Sequence, residues 1–182
     1  MSQNYALPSV ENALILLTDL SPYEGVGIPP SVEKALEASL ELKNQTVYLF
    51  FEPAEKEDDL LGWLEPWGEK VVTAALLPGK PADHLRGAMR RIFSRNDVRK
   101  AVAVFVHEQV AISAPMLRDA FAALDNAKVV VSTAGPLLGL TSLNDWVFAS
   151  ELWESKVLPE FFLSKAAERG IAFIDLSASK ES

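Results

Sequence analysis

The residues that could carry chemistry fall just after predicted strands. Thr18 ends the first buried strand, and Asp19 begins the loop that follows, which contains Gly25. Glycines in such a loop would let backbone N–H groups approach a phosphate. The loop lacks the Gly-Lys-Ser/Thr sequence of a P-loop and the glycine spacing of a dinucleotide-binding fingerprint. A surface loop stiffened by prolines explains the same residues equally well.

A second candidate follows the fourth predicted strand, which ends in His107 and Glu108. Carboxylate oxygens suit Mg²⁺, so Glu108 could hold a divalent cation that bridges a diphosphate. Alternatively, it is simply a charged residue at a strand end. His107 could exchange protons near neutral pH, or be partly buried with its hydrogen bonds satisfied. His84, the other histidine, is expected to be exposed to solvent in the first turn of a helix.

An alternation of strands and helices positions these residues. Apolar runs of strand length predict strands, and apolar residues at helical spacing predict the helices between them. The predicted strands are residues 12–18, 46–51, 70–77, 101–107, 128–132 and 171–176. The predicted helices are residues 32–42 after Ser31 as N-cap, 55–64, 83–95, 114–126 and 155–169.

Strands that are apolar throughout indicate a mainly parallel sheet covered by helices on both faces. Ligands bind such sheets at the carboxyl ends of the strands. The segments to search for a site are therefore residues 18–27, 52–53, 107–113 and 132–139.

Composition bounds the possible functions. The 182 residues are 49% hydrophobic and carry a net charge of −8, with no cysteine. The length predicts a single domain over residues 1–182, and the absence of cysteine excludes disulfides and thiolate zinc sites. The acidic balance argues against nucleic-acid binding.

No membrane span or secretory signal is visible, so we expect a cytoplasmic protein. Mean hydropathy of +0.12 and the acidic, aromatic segment 58–67 suggest a homodimer.

These segments together resemble the GT-A nucleotide-diphospho-sugar transferase superfamily, and within it a small bacterial family of glycosyltransferase-like proteins. The similarity rests on PYEG at 22–25, AVAVFVHEQVAIS at 101–113, TAGPLLGL at 133–140 and WESKVL at 153–158. It implies a three-layer α/β/α, Rossmann-like sandwich with six or seven strands that binds a nucleotide-sugar. By the same resemblance, Thr18, Asp19 and Gly25 would contact the nucleotide. Glu108 would hold Mg²⁺ or Mn²⁺, and Gly135 and Gly139 would line the acceptor side.

The sequence departs from the family where phosphate chemistry is expected. Ile28, Pro29 and Pro30 replace a basic segment, and the Gly and Pro that flank the acidic residue of the family are absent around Glu108. Burying a diphosphate without cations is costly. Two hypotheses follow: a nucleotide-sugar transferase that retains activity, or a non-catalytic binding or assembly protein on the same scaffold with an eroded active site. A different α/β superfamily that shares only the alternation is a third.

Overall fold

The computed structural model describes residues 11–43, 45–95, 97–106, 112–132, 137–143, 164, 167–168 and 173–175. Within them, seven strands form one sheet. The strands are β1 Glu11–Asp19, β2 Gln45–Glu52, β3 Val71–Ala75, β4 Val98–Phe105, β5 Val129–Ser132, β6 Leu137–Leu140 and β7 Phe173–Asp175. The helices are α1 Pro30–Glu41, α2 Glu57–Trp63, α3 Pro81–Phe93 and α4 Ala114–Ala123.

The sheet is mostly parallel, with strand order β3-β2-β1-β4-β6-β5-β7. β1 lies between β2 and β4 and is parallel to both, while β6 is antiparallel to β4 and β5. From β1, the strands β2 and β3 follow in sequence towards one edge of the sheet, and β4 then lies on the other side of β1. The order therefore changes direction between β1 and β4, which is where open α/β sheets bind ligands.

Helices cover both faces of the sheet, which explains why its central strands are apolar throughout. Leu14 and Leu16 of β1 pack in the same core as α1, α2 and α4. Ala13 and Ile15, which point to the opposite face, pack with Leu85 and other residues of α3. The three-layer α/β/α, Rossmann-like architecture expected from the sequence is confirmed.

Two helices begin earlier than the sequence predicts, and in both a proline is the first residue. The N-cap of α1 is Pro29 and its first residue is Pro30, so the prediction of Ser31 as N-cap is wrong. Helix α3 begins at Pro81 rather than at residue 83. Proline is favoured at the first helical position because its fixed φ suits the helix and its missing N–H would have no partner there. The α4 N-cap, Ser113, accepts a hydrogen bond from the N–H of Met116 at 3.3 Å.

Strand β6 was not predicted. Its four residues are buried and include Gly139, where an added Cβ would lie 3.2 Å from Leu124 Cδ1. Of the predicted helix at 155–169, the structure describes only Ser164, Ala167 and Glu168, which are helical. No helix in the described ranges is both long and apolar enough to cross a membrane.

Candidate functional site

A cavity of about 840 Å³ opens at the carboxyl ends of β1, β2 and β4. It lies at the change of strand direction between β1 and β4. Its described walls are formed by the ends of these strands, the β1–α1 loop, the first residues of α1, and the β3–α3 connection with the start of α3. The residues lining it are Leu17, Thr18, Asp19, Leu20, Pro22, Tyr23, Glu24, Pro29, Pro30, Ser31, Glu52, Leu76, Gly79, Pro81, His84, Phe105 and Val106.

Tyr23 holds the β1–α1 loop in place. Its hydroxyl donates to the carbonyl oxygen of Gly27 at 2.9 Å, and its ring meets Trp63 edge to face with the centroids 5.7 Å apart. Its own carbonyl accepts a hydrogen bond from Lys56 Nζ at 3.3 Å. A Cβ at Gly25 would lie 2.5 Å from the Tyr23 hydroxyl, so the loop conformation requires glycine there.

The start of α1 offers few donors to an anion. Pro29 and Pro30 both line the cavity, and neither has a backbone N–H. The N–H of Glu33 is bonded to the Pro29 carbonyl at 3.0 Å. Helix N-termini bind phosphate through exposed N–H groups, so the two prolines remove donors at the position where a phosphate would need them.

Glu52 and His84 meet at the wall of the cavity. His84 is 8% exposed. Its Nε2 lies 2.9 Å from the Leu77 carbonyl oxygen, and its Nδ1 lies 3.4 Å from Glu52 Oε2. Both ring nitrogens therefore face oxygen acceptors. The Glu52 carbonyl in turn accepts a hydrogen bond of 2.7 Å from the N–H of Leu20, which joins the end of β2 to the β1–α1 loop.

The described wall of the cavity is acidic. It contains the carboxylates of Asp19, Glu24 and Glu52, together with His84, and no Lys or Arg among the described residues.

The described residues do not by themselves form a metal centre. Within them, no group of three His, Asp or Glu side chains converges in a way that could hold a metal ion. Asp19 Oδ1 accepts hydrogen bonds from the N–H and the hydroxyl of Ser21, at 2.9 and 2.7 Å. Glu108, the predicted ligand for Mg²⁺ or Mn²⁺, lies outside the described residues.

The predicted site residues fall into three groups. Thr18 and Asp19 line the cavity. Gly25 lies against Tyr23, and Gly139 lies in β6 between Leu124 and Val102; neither lines the cavity. Gly135 lies outside the described residues, like Glu108.

The sequence pattern indicates residues 52–53 as part of a site, but it does not predict that His84 joins them. The expectation that His84 is exposed to solvent is wrong, because its side chain lies under the β3–α3 connection, bonded to Leu77. The sequence signal that indicates burial of His84 is its spacing: His84, Ala88 and Ile92 recur every four residues along α3, and all three are buried.

Comparison with known proteins extends the fold assignment. No protein-family model matches the sequence, and no curated protein matches it. The fold is similar to that of a provisionally assigned nucleotide-diphospho-sugar transferase from Desulfovibrio desulfuricans G20, with a TM-score of 0.71 and 12% identity over 90% of this chain and 78% of that one.

Two further solved structures share the fold. The 4-diphosphocytidyl-2C-methyl-D-erythritol synthase of Anaerococcus prevotii DSM 20548 has a TM-score of 0.63 and 13% identity, over 92% of this chain and 86% of that one. A Mycobacterium tuberculosis H37Rv protein solved in complex with manganese has a TM-score of 0.53 and 12% identity, over 89% and 86%. At these identities the likeness shows a common fold and nothing further.

Proposed function

We propose that the chain is a nucleotide-diphospho-sugar transferase-like domain over residues 1–182 that binds a nucleotide-sugar in the cavity between β1 and β4 and does not transfer the sugar. The observation that carries the proposal is this cavity at the switch point of the sheet, with an acidic wall. We place the chain in the GT-A branch, near the small bacterial glycosyltransferase-like family.

The position and size of the cavity support binding. In open α/β sheets, ligands occupy the crevice at the carboxyl ends of the strands where the strand order reverses. Ligand pockets commonly measure about 300–1,000 Å³, and this one measures about 840 Å³. Thr18 and Asp19 line it and would face the nucleotide.

The charge of the cavity argues against transfer. Transfer from a nucleotide-sugar leaves a nucleoside diphosphate, whose developing charge must be stabilised by cations or N–H donors. The described lining contains three carboxylates and no Lys or Arg, and α1 begins with two prolines. Binding of the diphosphate would then depend on a divalent cation, for which Glu108 is the proposed ligand.

Calorimetric titration with ADP-, CDP-, GDP- and UDP-glucose, with and without Mn²⁺, tests the proposal. We expect one of these ligands to bind in the presence of Mn²⁺, Glu108→Ala to abolish the effect of the metal, and chromatography to detect no released nucleoside diphosphate above the uncatalysed background. Turnover would show that the chain is an active transferase. A folded protein that binds none of the ligands would favour an assembly role for the scaffold.

Two further expectations complete the proposal. We propose a homodimer formed through the segment 58–67, in which Leu61 is 49% exposed while Trp63 and Trp67 pack against the core.

We also propose a cytoplasmic location. We propose no nucleic-acid partner, because the net charge of −8 would repel a polyanion.

A further inference from the structure

We infer that Glu52 recognises hydroxyl groups of the ligand and that His84 is a positioning residue that fixes the Glu52 carboxylate. The inference rests on the proposed function, because it names the part of a nucleotide-sugar that contacts the end of β2. Two sources could supply the hydroxyls: the transferred sugar or the ribose.

The backbone at Glu52 is anchored. Asp19 and Glu52 are partners in the parallel register of β1 and β2, and the Glu52 carbonyl is bonded to the N–H of Leu20. The Glu52 side chain is 24% exposed and lines the cavity. A ligand in the cavity therefore meets a carboxylate whose main chain is fixed by the sheet.

His84 fixes the side chain. Nε2 lies 2.9 Å from the Leu77 carbonyl oxygen and Nδ1 lies 3.4 Å from Glu52 Oε2, so the ring is held between a main-chain oxygen and the carboxylate. The bond of Nε2 to a main-chain oxygen also anchors the ring, so His84 acts on the ligand through Glu52.

The remaining acceptor capacity of Glu52 determines what it can bind. An ionised carboxylate has about four lone-pair sites, and only Oε2 of Glu52 faces His84. Hydroxyl groups donate to such an acceptor in charge-assisted hydrogen bonds. Phosphate oxygens carry negative charge and would be repelled, the more so because Asp19 and Glu24 line the same cavity. The carboxylate therefore fits a sugar ring rather than the diphosphate.

The binding experiment compares three probes: the glucose nucleotide that binds wild type, the matching ribonucleoside diphosphate and its 2′,3′-dideoxy form, all with Mn²⁺. We expect Glu52→Gln to weaken binding about ten-fold where the probe carries the recognised hydroxyl. Loss confined to the glucose nucleotide assigns the transferred sugar. Loss for both ribose-containing probes but not the dideoxy form assigns the ribose. Glu55→Gln, an exposed carboxylate outside the cavity, is the matched control.

An equal effect of Glu52→Gln on all three probes, or no effect, would overturn the inference while leaving the proposed function intact. Failure of every glucose nucleotide to bind wild type would overturn both. Glu52→Asp keeps the charge but shortens the side chain by one methylene. We expect this variant to lose affinity for the same probes as Glu52→Gln, because the inference requires the carboxylate at its wild-type position.

Nitrogen NMR tests the positioning role without any ligand. The chain has two histidines, and His84→Gln identifies the His84 signals. In Glu52→Gln we expect the Nδ1 resonance of His84, which faces Glu52 Oε2, to shift, and the Nε2 resonance, which faces the Leu77 carbonyl, to stay close to its wild-type position. An unchanged Nδ1 signal in that variant would overturn the positioning role.

Discussion

Gly25 lies so close to Tyr23 that a Cβ at this glycine would be 2.5 Å from the tyrosine hydroxyl. The Tyr23 side chain cannot move aside freely, because its hydroxyl is bonded to Gly27 and its ring contacts Trp63. Glycine at position 25 is thus explained by the packing of the β1–α1 loop, whatever its role toward a ligand.

Replacing Gly25 by alanine should therefore destabilise the protein. The displaced ring would lose its hydrogen bond and its aromatic contact, and we expect a loss of about 1–2 kcal/mol in the free energy of unfolding, measured by urea denaturation. Gly87→Ala is the control: it lies at an exposed position in α3 with open space around it, so alanine should be neutral or stabilising by up to about 1 kcal/mol. Equal effects of the two variants would contradict the explanation.

Gly139→Ala should destabilise the sheet through overpacking. The new methyl would lie 3.2 Å from Leu124 Cδ1 and 3.4 Å from Val102 Cγ2, and a loss of about 1–3 kcal/mol is typical of such crowding. Combining it with Leu124→Ala makes room for the methyl, so the double variant should be less destabilised than the sum of the two singles. If the loss of stability of the double variant, measured by thermal unfolding, equalled the sum of the losses of the two single variants, Leu124 would not be the residue that crowds the new methyl.

Pro30→Ala should improve the binding of a nucleoside diphosphate. The change restores one backbone N–H beside the cavity, which is worth about 1 kcal/mol or roughly five-fold in affinity. Calorimetry with the diphosphate that binds wild type measures the effect. Pro115→Ala, in the first turn of α4 and outside the described lining, is the control. If both variants left the affinity unchanged, the prolines would not be what limits anion binding.

The stability of Asp97→Asn should depend on pH. Two hydrogen bonds from the Arg95 guanidinium, at 3.1 and 3.2 Å, hold the pKa of Asp97 below its ordinary value of 3.8. The ion pair therefore adds stability above that value and loses it as the pH falls through the lowered pKa. Denaturation midpoints of wild type and variant should differ slightly near neutral pH, because both side chains are about half exposed, and should converge in acid. A gap that widens in acid would contradict this.

Light scattering after size exclusion tests self-association. The mass should be twice the 19.9 kDa of the chain. Leu61→Glu, at the centre of the proposed interface, should shift it to the monomer, whereas Val72→Glu, an equally exposed site on β3, should not. A monomer at every concentration would refute the dimer.

Local patterns were enough to predict the layers and the edge of the sheet that carries the cavity. Long apolar strands alternating with helices leave few topologies, and parallel strands bring their carboxyl ends together. Thr18 and Asp19 could be assigned to that edge for this reason. His84 could not be paired with Glu52, because the two are brought together only when α3 packs on the sheet.

Strand β6 was missed for a related physical reason. Four residues carry little periodic signal, and the place of β6 in the sheet depends on its pairing with β4, from which α4 and β5 separate it in sequence. The sequence pattern places the starts of α1 and α3 too late, because a proline beside turn-forming residues predicts a loop although its geometry also suits a first helical turn.

Strand β3 occupies one margin of the described sheet and offers its outer main-chain groups to any extended segment that approaches. Exposed edge strands of this kind can pair with strands of other molecules and start fibrils. In this protein β3 has only five residues, with Lys70 before it and Pro78 shortly after it. A strand from another molecule could therefore form few hydrogen bonds with β3, and we expect the short edge to limit fibril formation in concentrated solutions.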